Sequence, residues 1–315
     1  MASAVCAAVA SGVGGYVWYE GQRQPLLEIY VFALKSGQAV FVRTPSDKRI
    51  LIDGGTNSEI IRHLSAILPF YSRNIDKIVA TKADGTHVSG LIDVLERYSV
   101  GEVIVPGLGL EDIGAASSTD QIYKIFIDKA NASGIPIKEV MAGDQIVLDD
   151  LSLISNVKSD VSVILDVIFP VAISGPISTT VFQYSKASSP ELVTKISYGS
   201  TSVMLAGSIT TKIQKYIAID GSSSESSVLV LSQNATANNF AKDFIGQVAP
   251  DYIVYSAALA SASAPASVEI KKSSKDLKEK PDPLASIPMD HRINIKEAGT
   301  LKIVSDGREI ILSPQ

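Results

Sequence analysis

The order of apolar segments predicts an α/β chain in four layers, two β-sheets lying between helices. Three observations carry that prediction. Strands in hairpins open the chain after residue 26, strand–helix alternation follows, and strands return in the second half with helices again between them. With 315 residues, 46% of them hydrophobic and 19% charged, the chain can build a sizeable core, which excludes a mostly disordered protein. Only one stretch approaches membrane-spanning length, which excludes a polytopic membrane protein.

Each element follows from its own pattern. Leu27–Leu34 and Ala39–Thr44 are apolar β-type runs separated by Lys35-Ser36-Gly37. After a Pro45–Lys48 turn, Arg49–Asp53 is a third strand broken by Gly54-Gly55. Thr56 and Glu59 have the spacing of a capping box, and Ile60, Ile61, Leu64, Ile67 and Leu68 line one helix face that Pro69 ends. Asp76–Thr81 reads as a buried strand, Lys82–His87 as a polar loop, Val88–Tyr98 as an amphipathic helix and Glu102–Pro106 as a strand. Ser118–Ala132 is a longer helix stopped by Gly134 and Pro136. Strands are expected at 146–148, 151–154, 161–169, 179–184, 192–198 and 202–206, a helix at 210–218, a strand at 228–231, a helix at 238–248 and a strand at 252–255. Residues 258–288, rich in Ala, Ser, Pro and Lys, read as a long polar loop with a short helix from Pro265. Ile293–Ile295, Leu301–Val304 and Glu309–Leu312 close the chain as small strands.

Residues Ala2 to Trp18 carry no charge, and Tyr16, Trp18 and the following Tyr19 form an aromatic edge. A run of about 17 apolar residues reaches the short end of a membrane span, and aromatic residues at its edge suit the interface. The expected organisation is a membrane anchor or remnant span at 1–19, a linker at 20–26 and one domain over 27–315. A cleaved signal peptide is disfavoured because no Lys or Arg precedes the run. With no flanking positive charges, the side of the membrane is not set.

Chemistry is constrained by what is scarce. The net charge of −5 marks no nucleic-acid binding. Cys6 stands alone, which excludes an internal disulfide and a cysteine-built zinc site, and the histidines are only His63, His87 and His291. His63 and His291 read as surface or structural residues. Gly54-Gly55 reads as a tight turn, since neither a G-x-G-x-x-G nor a P-loop pattern is present. Asp84 with His87 is the best polar pair.

One family shares this frame. The segments Phe32–Ala39, Phe41–Pro45, Leu51–Gly55, Leu68–Phe70, Ile75-Asp76, Thr81–Gly90, Ile196–Gly199, Leu205–Gly207, Gly299–Leu301 and Val304–Gly307 match it in order and spacing. The chain resembles the metallo-β-lactamase-fold domain of ComEC-type competence proteins, membrane channels that import DNA, and their stand-alone bacterial relatives. The resemblance covers about residues 27–313 and implies an αββα sandwich.

Its metal motifs are degenerate. The family opening Asp-Val-Gly-Gln-Gly-Asp is here Ala33-Leu34-Lys35-Ser36-Gly37-Gln38, without either acid. The zinc loop Thr-His-x-Asp-x-Asp-His is here Thr81-Lys82-Ala83-Asp84-Gly85-Thr86-His87. The family's Thr-Gly-Asp aligns with Ala206-Gly207-Ser208, its His-His-Gly-Ser with Gln233-Asn234-Ala235-Thr236, and its later His-Pro with Ala264-Pro265. Lys82, Asp84, Thr86, His87, Ser208, Gln233 and Asn234 thus form the vestige of the site, and Asp84 and His87 are the remaining metal candidates. Two ligands are too few where zinc hydrolysis needs about three per metal and an open water position.

The resemblance then implies a membrane-tethered pseudo-hydrolase with no cofactor and a binding or assembly role. Its partners are expected at the membrane or in a DNA-uptake or envelope protein, and its place in the bacterial cell envelope. The alternative is a metal-dependent hydrolase of nuclease or phosphodiesterase type, using a single zinc held by Asp84, His87 and Asp53. A ligand-free scaffold for protein contacts is a third reading. Lys82 is expected to pair with Asp84 and stand in for part of the lost metal charge.

Overall fold

The computed structural model describes residues 26–107, 118–153, 162–170, 191–220, 224–231, 241–256 and 284–315. One sheet contains β1 (Leu27–Val31), β2 (Val40–Arg43), β3 (Arg49–Ile52), β4 (Asn74–Val79), β5 (Ser99–Pro106) and β6 (Ile137–Val140). With β14 (Leu301–Ser305) and β15 (Ile310–Pro314) it has the order β15-β14-β1-β2-β3-β4-β5-β6. The other contains β7 (Gln145–Asp150), β8 (Ser162–Phe169), β9 (Val193–Tyr198), β10 (Thr201–Gly207), β11 (Val228–Leu231), β12 (Tyr252–Tyr255) and β13 (Arg292–Asn294), in the order β13-β12-β11-β10-β9-β8-β7.

Strand alternation sends successive side chains to opposite faces and so builds three cores. In β3, Ile50 and Ile52 enter the layer between the sheets, with Val42, Val79 and Ile104 meeting Leu165, Ile196, Leu205 and Val230. Leu51 between them points outward, joining Phe41, Ile78 and Val103 beneath helices α1 (Glu59–Ile67), α2 (Gly85–Arg97) and α3 (Ser118–Ala132). On the far side, Val193, Met204, Leu229 and Ile253 pack under α4 (Thr211–Asp220) and α5 (Lys242–Val248). A strand buried on both faces needs a continuous apolar run, and Ile50-Leu51-Ile52 is one. The molecule is thus a mixed α/β sandwich of two sheets between helices, consistent with the layers expected from sequence.

Several boundaries differ from the sequence reading. The Thr56–Glu59 capping box does not form: Ser58 is the N-cap without a side-chain bond, Asn57 Oδ1 accepts from Glu59 N at 2.8 Å, and Glu59 Oε2 accepts from Lys35 N at 3.1 Å. Helix α2 starts at Gly85, inside the expected loop, because Asp84 caps it by accepting from Thr86 N. Strand β6 was not expected. The run 151–153 is a 3₁₀ turn, and Ile295 begins a one-turn helix, α6 (Ile295–Ala298), after β13. The strand expected at 179–184, the loop at 258–283 and the apolar leader lie outside the described residues. Among the described residues no helix is long and apolar enough to cross a membrane.

Register fixes which end of the sandwich each residue occupies. Leu27 pairs with Ser305, Glu28 with Arg43, Arg43 with Arg49, and Asn74 with Ser99, so β1, β3, β4 and β5 all start at one end. Ser200 N bonds Gly307 O at 2.7 Å, and Asp149 accepts from Ser46 N and Oγ at 2.9 and 2.5 Å, which places the 198–201 turn and the finish of β7 there too. Strands β3, β4 and β10 finish at the opposite end, where the polar cluster lies.

Candidate functional site

Asp53 directly follows strand β3 and adopts φ 59°, a left-handed conformation that Asp tolerates better than most residues. Gly54 follows so closely against α2 that an added Cβ would lie 2.6 Å from Leu91 N, and Gly54 N donates to His87 O at 2.7 Å. The Gly54-Gly55 pair is therefore a packing turn, as the sequence indicates. It aims Asp53 at the end of β4, where Oδ1 accepts from Thr81 N at 2.8 Å and Oδ2 from Thr81 Oγ1 at 2.6 Å.

The loop after β4 supplies the rest. Asp84 Oδ1 accepts from Thr86 N at 2.9 Å and Thr86 Oγ1 at 2.6 Å, and lies 2.6 Å from His87 Nδ1, so that ring nitrogen carries a proton. Lys82 Nζ sits 3.5 Å from Asp84 Oδ2, the pairing expected from sequence. It also sits 3.7 Å from Glu191 Oε2, a partner that sequence reasoning missed.

Glu191 comes from just before β9. A backbone bridge joins Lys82 to Glu191, and Leu192 N donates to Thr81 O at 2.7 Å, tying the two sheets together at this end. Its carboxylate accepts from Ser208 N and, at 2.7 Å, from Ser208 Oγ. Gly207, at φ 55°, has no room for a Cβ because Glu191 Oε1 occupies it. The one signal for Glu191 in the sequence is an acid directly preceding the apolar run Leu192-Val193.

Of the vestigial residues, Lys82, Asp84, Thr86, His87 and Ser208 converge, joined by Asp53 and Glu191. Gln233 and Asn234 lie outside the described residues. His63 packs its ring 5.0 Å from Phe32, and His291 stacks 4.2 Å from Tyr252, both structural as expected.

Electrostatics follow from the arrangement. Burial pushes the Asp53 carboxyl up to about 6, despite the opposing pull of His87 and the Thr81 hydrogen bonds. Burial also opposes charge on His87, but Asp53, Asp84 and Glu191 outweigh it and raise the imidazole to about 9. Burial works against the Asp84 charge too, yet His87, Thr86 and Lys82 hold that carboxyl well below the usual range. Two cations thus face three carboxylate groups, and every carboxylate has protein partners. Among the described residues no three His, Cys, Asp or Glu side chains are grouped to hold a metal ion.

No protein-family model matches the chain, and no curated protein matches it. Among solved structures it is similar to a metallo-β-lactamase with a HARLDQ motif from Cronobacter sakazakii, at 16% identity and TM-score 0.38, covering 58% of this chain and 60% of that one. It is also similar to the short form of human tRNase Z, at 13% identity and TM-score 0.41 over 72% and 91% of the two chains. A long-form RNase Z from yeast gives 12% identity and TM-score 0.44 over 74% and 38%. Similarity at this level assigns neither ligand nor activity.

Proposed function

We propose that the chain is a metallo-β-lactamase-fold protein in which an internal ion network replaces the hydrolytic metal centre, leaving a binding or assembly role at a membrane. The observation that carries this reading is the position of Lys82 Nζ between Asp84 Oδ2 and Glu191 Oε2, at 3.5 and 3.7 Å. A dication brought to these carboxylates meets an ammonium already among them. Its donors are also engaged: both oxygens of Asp53 by Thr81, Oδ1 of Asp84 by Thr86 and His87, and Glu191 by Ser208. The described residues therefore do not fit zinc, which needs about three ligands and an open water position.

The apolar run at 2–18 supports tethering of the domain to a bacterial envelope membrane, and the ComEC-like motif frame supports a DNA-uptake or envelope protein as partner. The full chain, supplied with zinc or manganese, is expected to cleave neither bis(p-nitrophenyl) phosphate nor single-stranded DNA above the level of the Asp84→Ala/His87→Ala variant. Metal-dependent turnover lost in that variant would instead support the single-metal hydrolase.

A further inference from the structure

The end of the sandwich opposite the ion network exposes an unusual set of apolar side chains. Phe70 and Tyr71, on the connection from α1 to β4, are 89% and 77% exposed and pack edge to face with centroids 5.3 Å apart. Leu26 precedes β1 at the same end, and Ile311 lies next to Ile310, which pairs with Ser305 there. Met289 lies just before β13, whose Arg292 pairs with Ile253 near the start of β12. These five are most of the eight large apolar side chains exposed among the described residues. Of these five, Phe70 and Tyr71 touch one another and form a contiguous aromatic patch, which marks an interaction surface where single scattered side chains do not.

What covers this end follows from where the chain enters it. Residues 2–19 carry no charge and finish on Tyr16, Trp18 and Tyr19, and the chain reaches the described structure at Leu26. Residues 20–26, fully extended at roughly 3.3–3.6 Å each, reach at most about 25 Å. Three strand spacings of ~4.8 Å separate β1 from β4, so Phe70 and Tyr71 lie only about 14 Å to the side of that entry point. A bilayer holding the leader is thus held close to the end that carries the aromatic pair. Charges of both signs surround it, among them Asp47, Lys48, Arg73, Asp306 and Arg308, so apolar burial rather than net charge drives the contact.

We propose that this end is a bilayer-docking surface, with Phe70 and Tyr71 inserted at the lipid interface and the ion-network end facing away from the membrane. The proposal rests on the reading that residues 1–19 hold the chain at a membrane. Aromatic rings with an apolar body suit that depth.

The test uses the full chain in phosphatidylcholine–phosphatidylglycerol vesicles and reads indole fluorescence against lipids brominated on the acyl chains. Trp18 reports the leader in the unaltered protein. A Trp18→Phe/Phe70→Trp variant reports the proposed surface. A Trp18→Phe/Ser58→Trp variant reports the opposite end of α1. Insertion by ~5–10 Å predicts a roughly twofold loss of emission at position 70, unchanged by added salt, and none at position 58. Quenching of Trp18 without quenching at position 70 overturns the docking surface and leaves the tether standing. Equal quenching at 58 and 70 overturns the orientation. If neither Trp18 nor position 70 is quenched, the tether and the docking surface fall together. Emission at position 70 that is shielded from both bromines and aqueous iodide assigns this end to a protein partner and also overturns the proposal.

Discussion

Replacing Lys82 with methionine is expected to lower unfolding stability by ~2–3 kcal/mol. The substitution keeps most of the side-chain volume and removes the ammonium that lies between Asp84 and Glu191, whose side chains are only 17% and 5% exposed. Breaking a buried pair from one side costs about 3–5 kcal/mol, because the remaining charge stays desolvated. Lys82 is itself 22% exposed, and both carboxylates keep other hydrogen bonds, which places the effect below that range. Urea unfolding at neutral pH reads it as a lower midpoint with an unchanged slope. Lys82→Arg should retain most of the stability, and adding Glu191→Gln to Lys82→Met should recover part of the loss, the coupling a double-mutant cycle isolates. An unchanged midpoint in Lys82→Met would show that the ammonium neutralises nothing.

The second large effect is on pH. In the unfolded chain His87 should titrate near its ordinary value of about 6.5, whereas in the fold Asp53, Asp84 and Glu191 face it and raise it to about 9 against the opposing effect of burial. The folded state holds that proton more tightly, so the stabilisation is complete below about pH 6.5 and is lost as pH rises through 9. At ~1.4 kcal/mol per pKa unit, the loss amounts to ~3 kcal/mol. Asp53, pushed up to about 6 by burial, likewise favours the fold when protonated, and its contribution disappears as pH rises to that value. Asp84 acts in the other sense: its lowered pKa stabilises the fold above the ordinary carboxylate range and is lost as pH falls. The distinctive feature is therefore the alkaline limb. His87→Asn should remove the imidazole's share of the slope, so that the loss of stability no longer extends up to about pH 9. Because His87 holds the Asp53 pKa down, the variant should also titrate Asp53 higher, the pair behaving as coupled sites. Identical alkaline slopes in both proteins would show that His87 does not carry the alkaline loss of stability.

The sandwich was legible because burial on both faces writes itself plainly into a strand: Ile50-Leu51-Ile52 and Val228–Leu231 admit few other readings. Helix α3 was legible from its pattern and its Gly134 and Pro136 stops. Boundaries set by single side-chain bonds were not. Asp84 draws the start of α2 forward by capping it, and Asn57 displaces Thr56 from the expected cap; neither bond is encoded in periodicity. The site was half legible. Lys82, Asp84, Thr86 and His87 are neighbours in sequence, so their convergence needs only a local loop. Glu191 and Ser208 arrive from the other sheet, and the long-range bridge that brings Glu191 to Lys82 has no signature in either segment. The missing acid at Ser208 was visible as a loss; that a carboxylate from Glu191 fills the space above Gly207 was not.

In the proposed reading Lys82 and His87 supply the positive charge that a metal would otherwise bring. The metal content of the full chain tests this, in protein purified without chelator or affinity tag and measured by elemental mass spectrometry after dialysis against zinc and manganese. Protein that unfolds cooperatively should hold far less than one equivalent of either metal. Near-stoichiometric metal, lost on replacing Asp84 or His87 with alanine, would contradict it and show that the ammonium yields its place to a dication.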